Sequence, residues 1–140
     1  MIGQAATCSD GVMNGDETDD DCGGGTCADC GVGDMCVGGS DCTSGVCMGM
    51  TCSAPSCTDG VLNGDETDND CGGSCSACMP GDACGIGADC DSGVCTGMVC
   101  QGPSCSDGIM NGTETDTDCG STCPGCARGD MCVGAGDCAT

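Results

Sequence analysis

Apolar residues fall singly or in pairs along this chain, with no recurrence at three- and four-residue spacing and no long apolar run. Between them, Asp-Gly and Asn-Gly pairs recur at short intervals, as in Asp10-Gly11, Asn14-Gly15, Asp59-Gly60 and Asn63-Gly64. Such pairs supply the left-handed backbone and local side-chain acceptors that tight turns need. The pattern therefore predicts an irregular chain with short β-hairpins between cysteines, no amphipathic helix of useful length and no membrane-spanning segment.

The same pattern repeats. Shifting the chain against itself aligns Cys8, Cys57 and Cys105, a period of 49 and then 48 residues. The openings read CSDGVMNGDETDDDCGG, CTDGVLNGDETDNDCGG and CSDGIMNGTETDTDCGS. The organisation expected is an N-terminal extension at 1–7, a first copy at 8–56, a second at 57–104 and a third, incomplete copy at 105–140. Linkers 53–56 and 101–104 each carry a proline, which stiffens the joint. The fold class predicted is small and disulfide-rich: an elongated tandem array of about 49-residue repeats with no large hydrophobic core.

Composition explains why the core must be unusual. There is no Phe, Tyr or Trp, and Val, Ile and Leu together number 12. The 22 cysteines take over that role, and disulfides at this density belong to oxidising, extracellular or cell-surface compartments. The segment Met1 to Thr7 has neither a basic start nor an apolar stretch, so the sequence reads as a mature form or part of a longer precursor. Eight cysteines per complete copy allow 105 pairings, and spacing does not choose among them. For the incomplete copy the preferred reading is that further repeats follow; the other is that Cys47–Cys52 and Cys95–Cys100 are optional bridges, each pair closing on itself.

A net charge of -22, with Arg128 the only base, repels nucleic acid and anionic membranes and points to cations as partners. The acids concentrate between the first two cysteines of each copy, in twelve-residue windows from Asp10 to Asp21, Asp59 to Asp70 and Asp107 to Asp118. Against an EF-hand loop, Asp10 falls at position 1, Asn14 at 5, Gly15 at 6 and Asp21 at 12. Position 3 is Val12, Val61 or Ile109, offering only a carbonyl, and the flanking helices are missing.

The three glutamates, Glu17, Glu66 and Glu114, all sit at one repeat position, which implies a side-chain-specific task. Calcium ligands expected are Asp10, Asn14, Glu17, Asp19 and Asp21, with Asp59, Asn63, Glu66, Asp68 and Asp70, and Asp107, Asn111, Glu114, Asp116 and Asp118 as counterparts. Asp16, Asp65 and Asp20 vary between copies and are weaker candidates. Asp34, Asp82 and Asp130, like Asp41, Asp89 and Asp137, are expected to cap turns. The bland alternative is that every Asp-Gly and Asn-Gly is a turn former and the remaining acid a solvated face.

The pattern C-x-D-G-x-x-N-G-x-E-T-D-x-D-C-G-G, followed by C-x-x-C and D-C-x-S-G-V-C, resembles cysteine-rich tandem repeats of secreted or surface proteins of myxobacteria and related bacteria. That resemblance implies location and architecture. The N-G-D-E-T-D-x-D-C stretch is also similar to thrombospondin type 3 repeats, implying a calcium-wrapped, disulfide-linked chain. The alternating D-x-D-x-D-G of those repeats is absent here.

The function expected is an extracellular structural or surface protein, rigidified by calcium, that self-associates in a filament, stalk or adhesive layer or binds a cell-surface partner. Met1-Ile2 and the third copy are candidate seats for a neighbour. A secreted adhesin or inhibitor module is the alternative. A metallothionein-like thiolate store lacks C-x-C spacing and basic residues. Catalysis is not expected: His and Lys are absent, and the C-x-x-C pairs, such as Cys123 to Cys126, lack a thioredoxin-like setting.

Overall fold

The structure, a computed structural model, describes residues 5–139, so the Met1-Ile2 seat lies outside the described residues. Each complete copy builds two halves. The first is the acidic loop with no regular structure beyond isolated bridges, and the second is a 3-10 turn followed by a two-residue-per-strand hairpin. In the first copy the turn is Gly39–Asp41, and strand β1, Cys47–Met48, pairs antiparallel with β2, Thr51–Cys52. In the second the turn is Gly87–Asp89, and β3, Cys95–Thr96, pairs with β4, Val99–Cys100. The third has the turn Ala135–Asp137.

The hairpin turns are Gly49-Met50 and Gly97-Met98, all four residues with positive φ, as a two-residue type I′ connection requires. A third edge joins each hairpin. Gly33 N donates to Cys52 O at 2.8 Å, Cys52 N to Asp34 O at 2.8 Å and Cys36 N to Met50 O at 3.1 Å. Gly81, Asp82 and Cys84 repeat these bonds with Cys100 and Met98.

Cysteine forms the interior. Cys30, Cys36, Cys42 and Cys52 are buried together, as are Cys78, Cys84, Cys90 and Cys100, and Val46 is the one aliphatic beside them among the described buried residues. Val37, Met48, Met50, Ile86, Met98 and Val133 are all exposed. Sulfur replaces the missing aromatics, as the composition predicted.

The pairing is interleaved, each cysteine bonding the next but one within its half. In the first copy Cys8 joins Cys27, Cys22 joins Cys30, Cys36 joins Cys47 and Cys42 joins Cys52. The first two bridges close the acidic half and the last two the hairpin half. Cys71–Cys78, Cys84–Cys95 and Cys90–Cys100 follow the same rule, as do Cys105–Cys123 and Cys119–Cys126. Cys57 and Cys75 are disulfide-bonded too. This excludes the less favoured alternative: Cys47 and Cys52 lie opposite each other in the hairpin, as do Cys95 and Cys100, yet each bonds sideways to the 36–42 or 84–90 segment. Cys132 and Cys138 are free thiols.

The chain divides into two compact units, Met1–Gly64 and Asp65–Thr140, and the boundary falls inside the acidic loop of the second copy. Within the first unit the opening of the second copy packs on the first: Asn63 Nδ2 donates to Ser44 O at 3.0 Å. Within the second unit Asn111 Nδ2 donates to Ser92 O at 2.9 Å. A copy's opening thus belongs spatially with the Ser-Gly-Val turn before it. Among the described residues, no helix is long and apolar enough to cross a membrane.

Candidate cation site in the acidic loops

Backbone amides without a helix or sheet must find other acceptors, and in these loops the carboxylates supply them. Asp10 accepts from Thr7 N at 3.1 Å and Val12 N at 3.2 Å, and holds Asn14 Nδ2 at 3.2 Å from each oxygen. Asp21 closes the loop, accepting from Asp10 N at 2.9 Å and from Gly11 N. Its φ is +60°, and Asp70 and Asp118 match it at +61° and +58°. Aspartate tolerates this left-handed backbone better than most residues, and its short arm reaches the amides directly. That accounts for Asp at the closing position, where an EF-hand has Glu.

Glutamate has its own geometry. Glu17 Oε2 accepts from Asn14 N, three residues back, at 2.9 Å, and Glu114 Oε2 accepts from Asn111 N and Asp118 N, each at 3.2 Å. Glu17 Oε1 lies 3.4 Å from the sulfur of Cys27, which is bonded to Cys8 and has no proton to give. Glu114 Oε1 stands likewise 3.6 Å from Cys123.

Asp19 points elsewhere. Its carboxylate accepts from Asp20 N at 2.7 Å and from Met35 N, in the hairpin half, at 2.6 Å. Asp68 and Asp116 do the same with Ala83 N and Met131 N, both at 2.7 Å. A bond runs in the opposite direction as well: Asp41, in the hairpin half, accepts from Gly24 N at 3.2 Å besides Val37 N and Gly38 N. Asp89 with Gly73 N and Asp137 with Ser121 N repeat it. Each copy is therefore cross-braced by two carboxylate-to-amide bonds. Asp34, Asp82 and Asp130 cap turns by accepting from Gly31, Met79 and Ala127.

Such donors hold the Asp10, Asp19 and Asp41 carboxyls below the usual carboxylate range. For Asp19 the chief cause is the Met35 amide and then that of Asp20; for Asp41 it is Val37, then Gly38; for Asp10 it is the Asn14 side chain, then Thr7. The charge-assisted bonds favour the ionised form in each case.

Of the five ligands expected in the first copy, the structure brings Asp10, Asn14, Glu17 and Asp21 into one hydrogen-bonded set and directs Asp19 to the hairpin half. Asp107, Asn111, Glu114 and Asp118 form the corresponding set in the third copy, with Asp116 directed away. In the second, Asp59 accepts from Ser56 N, Val61 N and Asn63 Nδ2, and Asp68 is directed to Ala83. Asp20 accepts from Met13 N, and Asp65 from Ser74.

One atom is left over in these sets. Asn14 Oδ1 and Asn111 Oδ1 are buried and accept no hydrogen bond. The amide orientation is fixed chemically, because the Nδ2 end faces a carboxylate and must be the donor. Asn14 and Glu17 line a cleft of about 190 Å³ with Ala6, Cys8 and Cys27, and Asn111 and Glu114 line one of about 80 Å³ with Pro103, Cys105 and Cys123. Either has room for an ion or a water.

The sulfurs that cluster with these carboxylates are no alternative donors. Cys8 and Cys27 gather around Glu17, and Cys71 and Cys78 around Asp82, but both pairs are disulfides, and metal ligation requires thiolate. Set against protein families, curated proteins and solved structures, the chain matches none.

Proposed function

We propose that the chain is an extracellular structural or surface component, a tandem array of disulfide-stapled copies whose acidic loops bind calcium and are stiffened by it. With twenty of the 22 cysteines in disulfides, an oxidising, extracellular setting is the one in which this covalent structure persists. The copy-to-copy bonds of Asn63 and Asn111 support the array, since the openings of the second and third copies each bond the turn before them.

The observation that carries the calcium reading is the buried, unsatisfied Oδ1 of Asn14 and Asn111. A buried acceptor without a donor costs about 1–3 kcal/mol, and here it lies in a chain of net charge -22 whose one base, Arg128, is exposed. A hard cation satisfies that oxygen and offsets the charge at once. Asn14 Oδ1 and Glu17 Oε1 are the first ligands, Asp10 adjoins them, and backbone carbonyls and water complete the six to eight oxygens calcium takes. Asp21 mainly closes the loop and Asp19 mainly braces it to the hairpin half, and their remaining lone pairs are secondary.

Such stiffening suits a filament, stalk or adhesive layer in calcium near millimolar, the range of extracellular calcium modules. Native mass spectrometry of the oxidised chain prepared without chelator tests the reading. One calcium for each acidic loop is the outcome expected, and a calcium-free spectrum under saturating calcium sinks it. Asn111→Leu separates ligation from scaffolding. A ligand role makes its cost larger in calcium than in chelator, whereas loss of the Ser92 and Asp107 bonds alone costs the same in both.

A further inference from the structure

The outer face of the first hairpin is built of thioethers. Met35 and Met48 are both backbone partners of Thr51, one on each side of it, so the three residues form a row across three strands. Members of such a row project to one face of a sheet, and their sequence neighbours project to the other. Burial agrees. Cys36 and Cys52 are interior and Cys47 packs against them, whereas Met35 and Met48 are 48% and 64% exposed. Met50, 72% exposed, directly precedes Thr51 in the Gly49-Met50 turn, and its carbonyl accepts from Cys36 N. Three of the chain's nine methionines thus share one hairpin tip.

Neighbouring strands stand about 4.8 Å apart, which sets the Met35 and Met48 backbones about 10 Å from each other across Thr51. Each methionine side chain has three rotatable bonds and ends in a polarisable sulfur. Two such arms rising from the same face can close over the threonine between them, which is half-buried there, and Met50 supplies a third arm from the tip. Thioether sulfur is a soft, uncharged donor that selects Cu(I), in contrast to the carboxylates and carbonyls that suit calcium. The net charge of -22 and the Asp19 carboxylate bonded to Met35 N draw a cation toward donors that carry no charge of their own.

The second copy is an internal control. Its hairpin keeps the register, with Ala83 and Thr96 flanking Val99 and Met98 in the turn. One thioether stands where the first copy has three.

We propose that Met35, Met48 and Met50 form a thioether site for one Cu(I) ion, independent of the calcium reading of the acidic loops. The ion binds without change of oxidation state and displaces no proton. Hard oxygens and soft sulfurs then sort two kinds of cation within one copy.

The test uses the full oxidised chain carrying methyl-labelled methionine, with its free thiols Cys132 and Cys138 capped by N-ethylmaleimide so that they cannot take the metal. Ag(I), a soft monovalent ion stable in air, is titrated in nitrate buffer, and Cu(I) in ascorbate is titrated separately. The methyl signals of Met35, Met48 and Met50, assigned through their Leu variants, should move together and saturate at one ion per chain with either metal. Met35→Leu and Met48→Leu, both at exposed positions, should each weaken binding by on the order of tenfold, since each removes one arm of a chelate. Ala83→Met combined with Thr96→Met should add a second equivalent at Met98. Shifts spread over all the methionines without saturation, Leu variants that bind as tightly as the parent, no second equivalent in the second copy, or a site that takes Ag(I) but not Cu(I) would overturn the proposal.

Discussion

The two halves of a copy solve one problem by different means. The hairpin half satisfies its backbone with other backbone, through β1, β2 and the 33–36 edge, and buries Cys36, Cys42 and Cys52 at its centre. The acidic half has almost no ladder to offer and satisfies its amides with side-chain carboxylates, Asp10, Glu17, Asp19, Asp20 and Asp21. Backbone pairing is indifferent to pH and ions, while carboxylate acceptors depend on staying ionised and crowd negative charge together. The acidic half is therefore where conditions control the structure.

The largest effect comes from breaking the half that owes least to charge. Replacing both Cys42 and Cys52 by Ser removes a bridge at the buried centre and should cost about 2–4 kcal/mol. Limited proteolysis should then cut first between residues 36 and 52, with the Cys8–Cys27 bridge still intact by mass mapping.

Next comes a backbone test of the acidic half. Gly24 has φ +68°, and a methyl group there would overlap the Asp16 carbonyl; Gly73 meets the Asp65 carbonyl in the same way. Gly24→Ala should cost at least about 1–2 kcal/mol from the left-handed backbone alone, read as a lower denaturant midpoint.

Acid sharpens the comparison further. Asp10, Asp19 and Asp41 have folded values below their unfolded ones. The unfolded chain thus binds more protons as pH drops, so their contribution is complete above about pH 4 and lost as pH falls through the folded values. The amides of Met35, Val37 and Gly38 should lose exchange protection in that window before those of Cys36 and Cys52. Asp19→Asn, which has no carboxyl to titrate, should lower protection at Met35 above that window and abolish its pH step.

The smallest effect tests equivalence between copies. Ser121 occupies the place of Gly24 and Gly73 with φ +53°, a conformation that costs a serine. Ser121→Gly should stabilise the third copy by a few tenths to about 1 kcal/mol, seen as a small rise in thermal midpoint.

Much of this was legible in the sequence, and the illegible part has a physical cause. Turns at Asp10-Gly11 and Asn14-Gly15, hairpins between cysteines and a core of sulfur follow from local chemistry. The restriction of glutamate to positions 17, 66 and 114 did signal a specific task. In Glu17 and Glu114 that task is largely reaching back to an amide, a job for a longer arm. What spacing hides is anything decided at a distance. Asp19 reads as one more loop acid, yet its main partner is Met35, 16 residues on. The bridge order is equally silent, because every pairing satisfies valence. Hydrogen bonding explains most of the polar selectivity in the loop; the buried Oδ1 of Asn14 and Asn111 is the part it leaves over.

That remainder makes one measurement decisive: the thermal midpoint of the fully oxidised chain in about 1 mM calcium against the same chain in chelator at matched ionic strength. Calcium held at Asn14, Asn111 and their neighbours stabilises the folded state by mass action, and the midpoint should rise by at least several degrees. An unchanged midpoint would contradict the account, leaving loops held by their own amides and an acidic face that merely meets solvent.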